Sequence, residues 1–466
     1  MLGLFSHRCF FMYRSILSWI VCLFCLTGTA LSVEPCCIEI LDDENGWPVP
    51  LVELRTINNQ RFISDNAGVI AIDEPDLLGL KTWFHLRGHG YSIAKDGFGY
   101  EGVRLTLQPG KRIAIRVKRK LPAKRLGRIT GGGLFAESQK LGRMTDWKDQ
   151  PVFGCDSVQN AVYEGQLFWC WGDTNLSAYP LGRFHAVAAK SAVQPLRTFI
   201  PPIQLRYKYF LDSNSLPRNV AHMPGEGPTW LDGLVSLKDQ NGHENLVASY
   251  SKVRKPMTIY ETGLCVWSKE KESFEHYHTL WNDTDSLQKD TQDRPFGHAC
   301  FWTDLQGQKW VLFGDPFPQV RCRATFEAWS NPDSWEEISG TVTIHAVNDG
   351  RKIVPHRGAV SWNPYRKRWV TIFTQQGGES SLIGELWYAE ADSPLGPWEN
   401  AVHVVTHDHY SFYNPQIHSS FVNEKSPFLL FEATYTRAFS KSQESTPRYD
   451  YNQILYRLDF DTLGFD

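Results

Sequence analysis

Apolar and polar residues alternate with a period of two along most of the chain after residue 36, and helical periodicity is weak throughout. Clusters of Gly, Asp and Asn separate these short runs, which is the pattern of strands joined by turns. The pattern therefore predicts an all-β protein. Its first part, up to residue 118, is typical of a small β-sandwich with strands at 38–41, 52–56, 69–72, 103–107 and 113–117.

From about residue 130 one layout recurs five times: a partner strand, a tight turn, and an apolar strand that ends at a polar break. The apolar strands begin at residues 168, 246, 310, 369 and 428. The last three starts are 59 residues apart, a period typical of propeller blades and solenoids. A third strand often follows, as at 326–329. Five such units predict a five-bladed β-propeller rather than a second double-sheet sandwich.

A basic segment joins the two regions, since nine of the eighteen residues from 111 to 128 are Lys or Arg. Such a run could contact an anionic polymer or a membrane surface. The polar face of a last strand followed by a linker is the favoured interpretation, and Pro122 supports it. The predicted organisation is a signal peptide at 1–32, a sandwich at 33–118, a basic linker at 119–129 and a propeller at 130–466.

The amino terminus has the pattern of a secretory signal. Arg8 and Arg14 precede an apolar run at 16–26, and small residues follow as far as Ser32. The run is too short to span a bilayer comfortably and its flanks suit cleavage after Ala30 or Ser32, although an uncleaved anchor is the alternative. No later segment is apolar enough to span a membrane. We therefore expect a secreted or periplasmic protein without a membrane span after cleavage.

Composition excludes some partners. The net charge of −3 gives no reason to expect nucleic acid. The chain is rich in aromatic residues, with 17 Trp and 18 Tyr. Such a content is common in carbohydrate-handling proteins, but also in other aromatic-rich β-proteins. The seven cysteines after residue 32 are scattered and lack the paired spacing of metal sites. We expect no cofactor and no metal, and the sequence does not indicate an oligomeric state.

Candidate chemistry lies where the blades meet the central channel. The start of each first strand and the end of each second strand lie on one face, which we call the funnel. Blade one places Asp156 and Asp173 there, and blade two places Glu226. The other blades add His298, Asp315, His356, Arg357, Gln375, Asn414, His418 and Glu432. Singly each could be a turn or core residue, but apolar side chains would fill a channel more simply than this set.

Two stretches resemble known families. Residues 38–68 combine a strand, an Asp-x-x-Gly turn, Pro-Val-Pro, a strand and Ser-Asp-x-x-Gly, which resembles the carboxypeptidase-regulatory, transthyretin-like module. That module is an accessory domain. The end of blade four at 391–398, Ala-Asp-Ser-Pro-Leu-Gly-Pro-Trp, resembles five-bladed glycoside hydrolases such as the arabinanases and xylosidases of family 43. The motifs at 172–174 and 413–418 resemble a related propeller family that includes D-arabinan-degrading hydrolases.

The second resemblance covers about 150–460 and implies hydrolysis of a polysaccharide with pentose or arabinofuranose units, by one acid and one base or nucleophile. It implies Asp156 as base or nucleophile, Glu226 as the leading acid candidate and Asp173 as the second. The other funnel residues would hold sugar hydroxyls or tune carboxylate pKa values.

Family 43 also places a carboxylate at the channel start of blade three, where this chain has His298. Two alternatives therefore stay open. One is a propeller that only binds carbohydrate or protein. The other is a glycoside phosphorylase in which Arg357 and the histidines bind phosphate.

Overall fold

The structure is a computed structural model that describes residues 33–284, 294–340 and 342–465. Strands make up 48% of it and helices 5%, which confirms the all-β fold class. The predicted signal peptide at 1–32 lies outside the described residues. Within the ranges given above, no helix is long and apolar enough to cross a membrane.

Two four-stranded sheets form the amino-terminal sandwich. Its strands are β1 (Cys36–Asp42), β2 (Glu53–Thr56), β3 (Arg61–Ile63), β4 (Val69–Ile72), β5 (Lys81–Arg87), β6 (Tyr91–Ser92), β7 (Gly102–Thr106) and β8 (Arg112–Arg119). The sheet orders are β4-β1-β8-β6 and β3-β2-β5-β7. Alternation places Ile38 of one sheet against Leu54 and Phe84 of the other, all fully buried in one core.

A short connection and blade one follow. Their elements are β9 (Ala123–Arg128), helix α1 (Ala136–Lys140), β10 (Gly154–Cys155), β11 (Gln159–Tyr163), β12 (Gln166–Trp171), β13 (Thr174–Leu176), β14 (Tyr179–Arg183), β15 (Val187–Ala192) and β16 (Lys208–Tyr209). Blade one is the sheet β11-β12-β15-β16, and β10, β13 and β14 form a small sheet beside it.

Blades two and three are antiparallel sheets in chain order. Their elements are β17 (Thr229–Lys238), β18 (Glu244–Arg254), β19 (Thr258–Ser268), β20 (Ser273–Asn282), β21 (His298–Thr303), β22 (Lys309–Gly314), β23 (Pro318–Arg323), helix α2 (Phe326–Trp329) and β24 (Glu336–Glu337). The segment 326–329 was predicted as a strand and is α2, because the Thr325 hydroxyl caps it by accepting from the Ala328 N–H at 3.2 Å.

Blades four and five complete the chain. Their strands are β27 (Pro355–Asn363), β28 (Arg368–Gln375), β29 (Glu385–Ala391), β30 (Glu399–Thr406), β31 (Ser411–Ile417), β32 (Phe428–Thr436) and β33 (Asn452–Asp459), with the small hairpin of β25 (Ile344–His345) and β26 (Lys352–Ile353) before them. Short 3₁₀ helices lie at Leu196–Phe199, Pro332–Ser334, Ser419–Phe421 and Phe460–Thr462.

The five sheets close into a ring. Each innermost strand contacts the next, from β11 through β17, β21 and β27 to β31. Blade five returns to blade one, where the Asn414 side-chain amide donates to the Val158 carbonyl at 3.5 Å and the Gln416 amide to Asn160 Oδ1 at 3.5 Å. The inner strands therefore surround one channel.

The basic segment at 119–129 was predicted to be a linker, but it contains β9, which pairs with β33 as the outermost strand of blade five. The propeller thus includes a strand from before residue 130. Arg125 and Arg128 within it are buried, and Arg125 donates to the carbonyls of Pro50 at 2.9 Å and Leu51 at 3.2 Å in the sandwich. Arg125 therefore joins the two domains instead of facing solvent.

Candidate active site

A cavity of about 610 Å³ opens at the funnel, and its charged and amide side chains come from all five blades. These are Asp156, Gln159, Asp173, Asp232, Arg294, Asp315, Gln319, Arg357 and Asn414. Aromatic and aliphatic groups form much of the remaining wall: Trp171, Trp230, Leu231, Met257, Ile259, Phe296, Tyr413, Phe439 and Tyr451. Five of the predicted site residues line this cavity, and so do two charged residues that were not predicted, Asp232 and Arg294.

Asp156 leaves the sheet at a break in blade one. Strand β10 ends at Cys155 and β11 begins at Gln159, so Asp156 lies between two strands. Burial raises the pKa of Asp156 to about 6, and hydrogen bonding from the hydroxyls of Tyr451 and Ser157 and from the Asp173 N–H opposes that rise.

Asp173 follows β12 and lies beside Asp156. Gly172 makes this approach possible, since a Cβ on Gly172 would lie 2.6 Å from Asp156 Oδ1. The Trp230 indole N–H donates to Asp173 Oδ1 at 3.2 Å. Burial, and then the neighbouring Asp156 charge, raise the pKa of Asp173 to about 7.

Asp232 enters the cavity from the middle of β17. The pairing of β17 with β18 is irregular between Asp232 and Val235, and Gly233 has a φ of +60° at this bulge. The Gly233 N–H donates to the Gly297 carbonyl at 2.9 Å, which fixes the bulge against the next blade. Burial raises the pKa of Asp232 to about 6, with Arg357 lowering it.

Asp315 and Arg357 form an ion pair across blades three and four. Arg357 Nη1 lies 3.2 Å from Asp315 Oδ2, and the Gly358 N–H donates to Asp315 Oδ1 at 2.8 Å. The Arg357 guanidinium lies 5.0 Å from the centre of the Tyr413 ring. Burial raises the pKa of Asp315 to about 6, although Arg357 opposes the rise.

The four acids form two coupled pairs. The charge of Asp156 raises the pKa of Asp173, and the charge of Asp315 raises that of Asp232. The Arg357 guanidinium lowers the pKa of Asp156, Asp232 and Asp315. Arg357 is therefore the cation shared between the two pairs.

Asn414 lines the cavity with a φ of +46°, at a break in the pairing of β31. His298 lies behind it, where burial and Arg357 lower the pKa of His298 to about 3, so this imidazole is neutral. His356 and Gln375 do not line the cavity. His356 Nδ1 lies 3.4 Å from Thr374 Oγ1, and Gln375 is buried.

His418 and Glu432 were predicted to bind substrate, and the structure instead buries them together away from the cavity lining. His418 Nε2 lies 3.0 Å from Glu432 Oε1, and both side chains are fully buried. His418 Nδ1 lies 3.4 Å from the Asn160 side-chain amide. This pair supports the inner end of blade five rather than a ligand.

Glu226 is exposed and does not line the cavity, contrary to the prediction of a catalytic acid. Strand β18 of blade two has 11 residues, whereas the corresponding strand β12 of blade one has 6. The hairpin of blade two therefore extends past the funnel, and Glu226 at its beginning lies outside the cavity. The buried Lys252 ammonium holds the Glu226 loop by donating to the carbonyls of Gly225 at 3.2 Å and Gly227 at 2.8 Å.

Asp232 and Arg294 are charged cavity residues that were not predicted, and Asp232 is the one that a local pattern in the sequence could have indicated. The signal was present, since Asp232-Gly233 interrupts an apolar strand, and a glycine inside a strand marks a bulge. Arg357-Gly358 is likewise a charged residue followed by glycine, and it lies where the pairing of β27 with β28 is irregular. In the part of the chain that the structure describes, no group of three or more His, Cys, Asp or Glu is placed to hold a metal ion.

No family model matches the chain, and no curated protein matches it. Solved structures do match, among them an exo-1,5-alpha-L-arabinanase from a bovine ruminal metagenomic library, at 10% identity and a TM-score of 0.36 over 65% of this chain and 92% of that one. A GH43_1 enzyme from Xanthomonas citri matches at 10% identity and 0.35, over 66% and 87%. An N-acetylgalactosamine deacetylase from F. plautii matches at 9% and 0.39, over 68% and 93%. With TM-scores below 0.5, these likenesses carry no argument about this chain.

Proposed function

We propose that the protein is a glycoside hydrolase that cleaves a polysaccharide in the funnel. The observation that supports it is the convergence of Asp156, Asp173, Asp232 and Asp315, from three blades, on one cavity in which burial raises each pKa to about 6 or 7. Glycoside hydrolysis needs one protonated and one ionised carboxyl group at the same pH. Carboxylates with pKa values near neutrality supply both forms.

Asp173 has the most strongly raised pKa of the four acids, at about 7, and it accepts a hydrogen bond from the Trp230 indole N–H at 3.2 Å. Asp232 belongs to the other pair, and its pKa is about 6. Asp315 is held by Arg357 and Gly358, and hydrogen bonding from Tyr451, Ser157 and the Asp173 N–H opposes the raised pKa of Asp156. We assign the general acid to Asp173, which protonates the leaving oxygen. Asp232 acts from the other pair, as the base for water or as the nucleophile.

Asp156 and Asp315 set the charge around these two groups. The negative charge of Asp156 keeps the proton on Asp173, which is what an acid needs before it reaches the transition state. Arg357, paired with Asp315, keeps Asp232 more ionised, which is what a base needs. The Asp156 charge therefore favours the protonated form of Asp173, whereas Arg357 favours the ionised form of Asp232 against the opposing charge of Asp315.

The competing functions fit the funnel less well. A phosphorylase needs a free cation for phosphate, whereas Arg357 is paired with Asp315 and surrounded by acids. A funnel that only binds sugar gains nothing from burying four carboxyl groups, since their desolvation costs free energy. The excess of acids over cations favours a neutral glycan over an anionic one.

The mouth of the cavity suits sugar rings. Trp230, Met257 and Phe439 line it, and Met257 and Phe439 are 61% and 58% exposed. Flat apolar surfaces of this kind pack against the apolar faces of pyranose and furanose rings. The proposed substrate is a neutral polysaccharide, with the pentose or arabinofuranose units that the sequence resemblance implies.

We also propose export, which the signal-like pattern of the amino terminus supports. The mature chain would begin between residues 31 and 33, as the sequence predicts. Amino-terminal sequencing of protein from the periplasm or medium tests this. An intact segment 1–32 on protein held in the inner membrane would contradict it.

The function is tested by incubating the purified protein with neutral pentose and hexose polysaccharides, with and without inorganic phosphate. The expected result is release of reducing ends from at least one glycan at a rate that does not depend on phosphate. Binding by affinity electrophoresis is measured on the same panel. Binding without turnover, or turnover that requires phosphate, would overturn the hydrolase assignment.

A further inference from the structure

The connection between β32 and β33, residues 437–451, extends from the funnel to the sandwich. At its end Tyr451 lines the cavity together with Asp156, and hydrogen bonding from its hydroxyl lowers the pKa of that carboxyl group. Near its beginning Phe439 lines the cavity and stacks on Tyr413, with ring centres 5.8 Å apart. This loop thus supplies one hydrogen bond to the acid cluster and one wall of the mouth.

The middle of the loop is anchored to the sandwich by Tyr449. Its hydroxyl donates to the Ser64 carbonyl at 2.8 Å and accepts from the Leu51 N–H at 3.2 Å. The ring is buried, and the Arg128 guanidinium lies 5.0 Å from its centre. One buried side chain therefore satisfies two backbone groups of the other domain.

A second anchor lies five residues earlier. Glu444 Oε2 accepts from Arg55 Nη2 at 2.6 Å, and Arg61 Nη1 donates to the Ser445 carbonyl at 3.2 Å. The two arginines are themselves fixed in the sandwich, where both form ion pairs with Glu53 at 2.8 and 2.7 Å. The loop meets a preorganised pair of guanidinium groups.

The sandwich is fixed to the propeller independently of this loop. Asn66 accepts from the Arg128 N–H at 2.9 Å and donates to the Arg128 carbonyl at 2.7 Å, and Arg125 donates to three sandwich carbonyls. The sandwich can therefore act as a support, because it does not depend on the loop for its own position.

The loop needs such a support. Phe439, Arg448 and Tyr451 have φ values of +59°, +63° and +63°, a region that non-glycine residues occupy at a cost unless the surroundings hold them. The Tyr451 backbone is tied to the propeller through Tyr435 and Cys155, and the sandwich anchors hold the chain on both sides of Arg448, at 444–445 and at 449.

We propose that the amino-terminal sandwich is a positioning domain for the active site, which holds loop 437–451 so that Tyr451 stays on Asp156 and Phe439 stays at the mouth. This inference rests on the proposed function, in which Asp156 keeps the proton on Asp173. Tyr449 and Glu444 are positioning residues that act through Tyr451 and Phe439.

The test uses Tyr449→Phe and Glu444→Gln in the full chain. Tyr388→Phe and Glu336→Gln are matched controls, since they remove a hydroxyl bond to Glu390 at 2.9 Å and an ion pair with Arg321 at 2.6 Å in other blades. Hydrogen–deuterium exchange should be about fivefold faster across 437–450 in the two test variants, the effect of losing roughly one net hydrogen bond. The controls should leave these peptides unchanged.

Two further measurements, the titration of Asp156 and KM, distinguish a positioning role from a general loss of stability. Tyr451→Phe should raise the apparent pKa of Asp156, followed by carboxyl NMR, because it removes a donor to the ionised form. Tyr449→Phe should raise it in the same direction by less, and should raise KM by about threefold or more through Phe439. Equal exchange in test and control variants, or an Asp156 titration unchanged in Tyr449→Phe, would overturn the positioning role.

The inference and the proposed function fail separately. If the wild-type protein hydrolyses no glycan, the hydrolase assignment falls, while exchange and titration still decide whether the sandwich holds the loop. If the wild type hydrolyses a glycan and neither exchange nor titration responds to the test variants, the positioning role falls and the hydrolase assignment stands.

Discussion

Arg357 of blade four lies 3.2 Å from the Asp315 carboxylate of blade three and is the cation shared by the two acid pairs of the funnel. This relationship links the protonation of the site to one residue. Asp315 and Asp232 both have their pKa lowered by Arg357 against the larger effect of burial. Removing the guanidinium should therefore raise the pKa of both carboxyl groups.

The Arg357→Met variant should lose activity most strongly at acidic pH. Without the positive charge the pKa of Asp232 rises further above 6, and Asp232 works as a base only when it is ionised. The acid limb of the kcat/KM profile should thus move to higher pH. Arg357→Lys keeps the charge and should move the limb less. An acid limb at the same pH in all three proteins would show that Arg357 does not control Asp232.

Asp173→Asn should show the behaviour of a lost general acid. Hydrolysis of a polysaccharide, whose leaving oxygen is a poor leaving group, should fall by about 100-fold or more. Aryl glycosides with acidic leaving groups need little protonation, so their hydrolysis should fall far less. Rates on both substrate types measure this. A uniform loss on both would contradict the assignment of the acid to Asp173.

The same variant should change how stability depends on pH. The pKa of Asp173 is raised from 3.8 to about 7 in the folded protein, so its folded-state contribution is favourable below pH 4 and is lost as pH rises through 7. Asp173→Asn should therefore have a higher melting temperature relative to the wild type at pH 8 than at pH 4. A difference that is constant with pH would show that Asp173 is not perturbed.

The Asp156→Asn variant should shift the alkaline limb of the kcat/KM profile to lower pH. The Asp156 charge helps to raise the pKa of Asp173, so removing it lets Asp173 lose its proton earlier. Folding should change little, since the amide can still accept from the Tyr451 hydroxyl. An active, less stable variant with an unshifted profile would make Asp156 a turn residue without a role in the chemistry.

Much of the fold followed from the sequence because strand alternation and turn residues are local signals. Ile38 and Leu54 are in the core where the period of two places them. The role of β9 was not predictable in this way, because its pairing with β33 joins positions over 320 residues apart and its arginines are buried against carbonyl groups of another domain.

The site was predicted in part for the same reason. Asp156, Asp173 and Asp315 lie at strand ends, where the blade pattern places them in the funnel. Glu226 was wrongly placed because the length of the blade-two hairpin is set by tertiary packing and not by its turn residues. Asp232 sits on a bulge, which shifts the register and depends on the contact of Gly233 with the next blade.

The buried pair of His418 and Glu432 should matter for stability and not for substrate binding. The two side chains lie 3.0 Å apart and are fully buried, so Glu432→Leu leaves His418 without its partner. A buried polar group that loses its partner costs about 1–3 kcal/mol. Denaturant unfolding should show this loss, while KM of the folded variant stays unchanged. A stable variant with a raised KM would return Glu432 to the substrate site.

The most direct test of the hydrolytic funnel compares Asp232→Asn with Glu226→Gln on the glycan that the wild type cleaves. Asp232 lines the cavity and is assigned as base or nucleophile, whereas Glu226 is exposed and outside it. We expect Asp232→Asn to lose about 100-fold or more of kcat while its melting temperature is no lower than that of the wild type, and Glu226→Gln to keep the wild-type rate. A fully active Asp232→Asn protein, or a Glu226→Gln protein without activity, would contradict the assignment of the chemistry to the funnel.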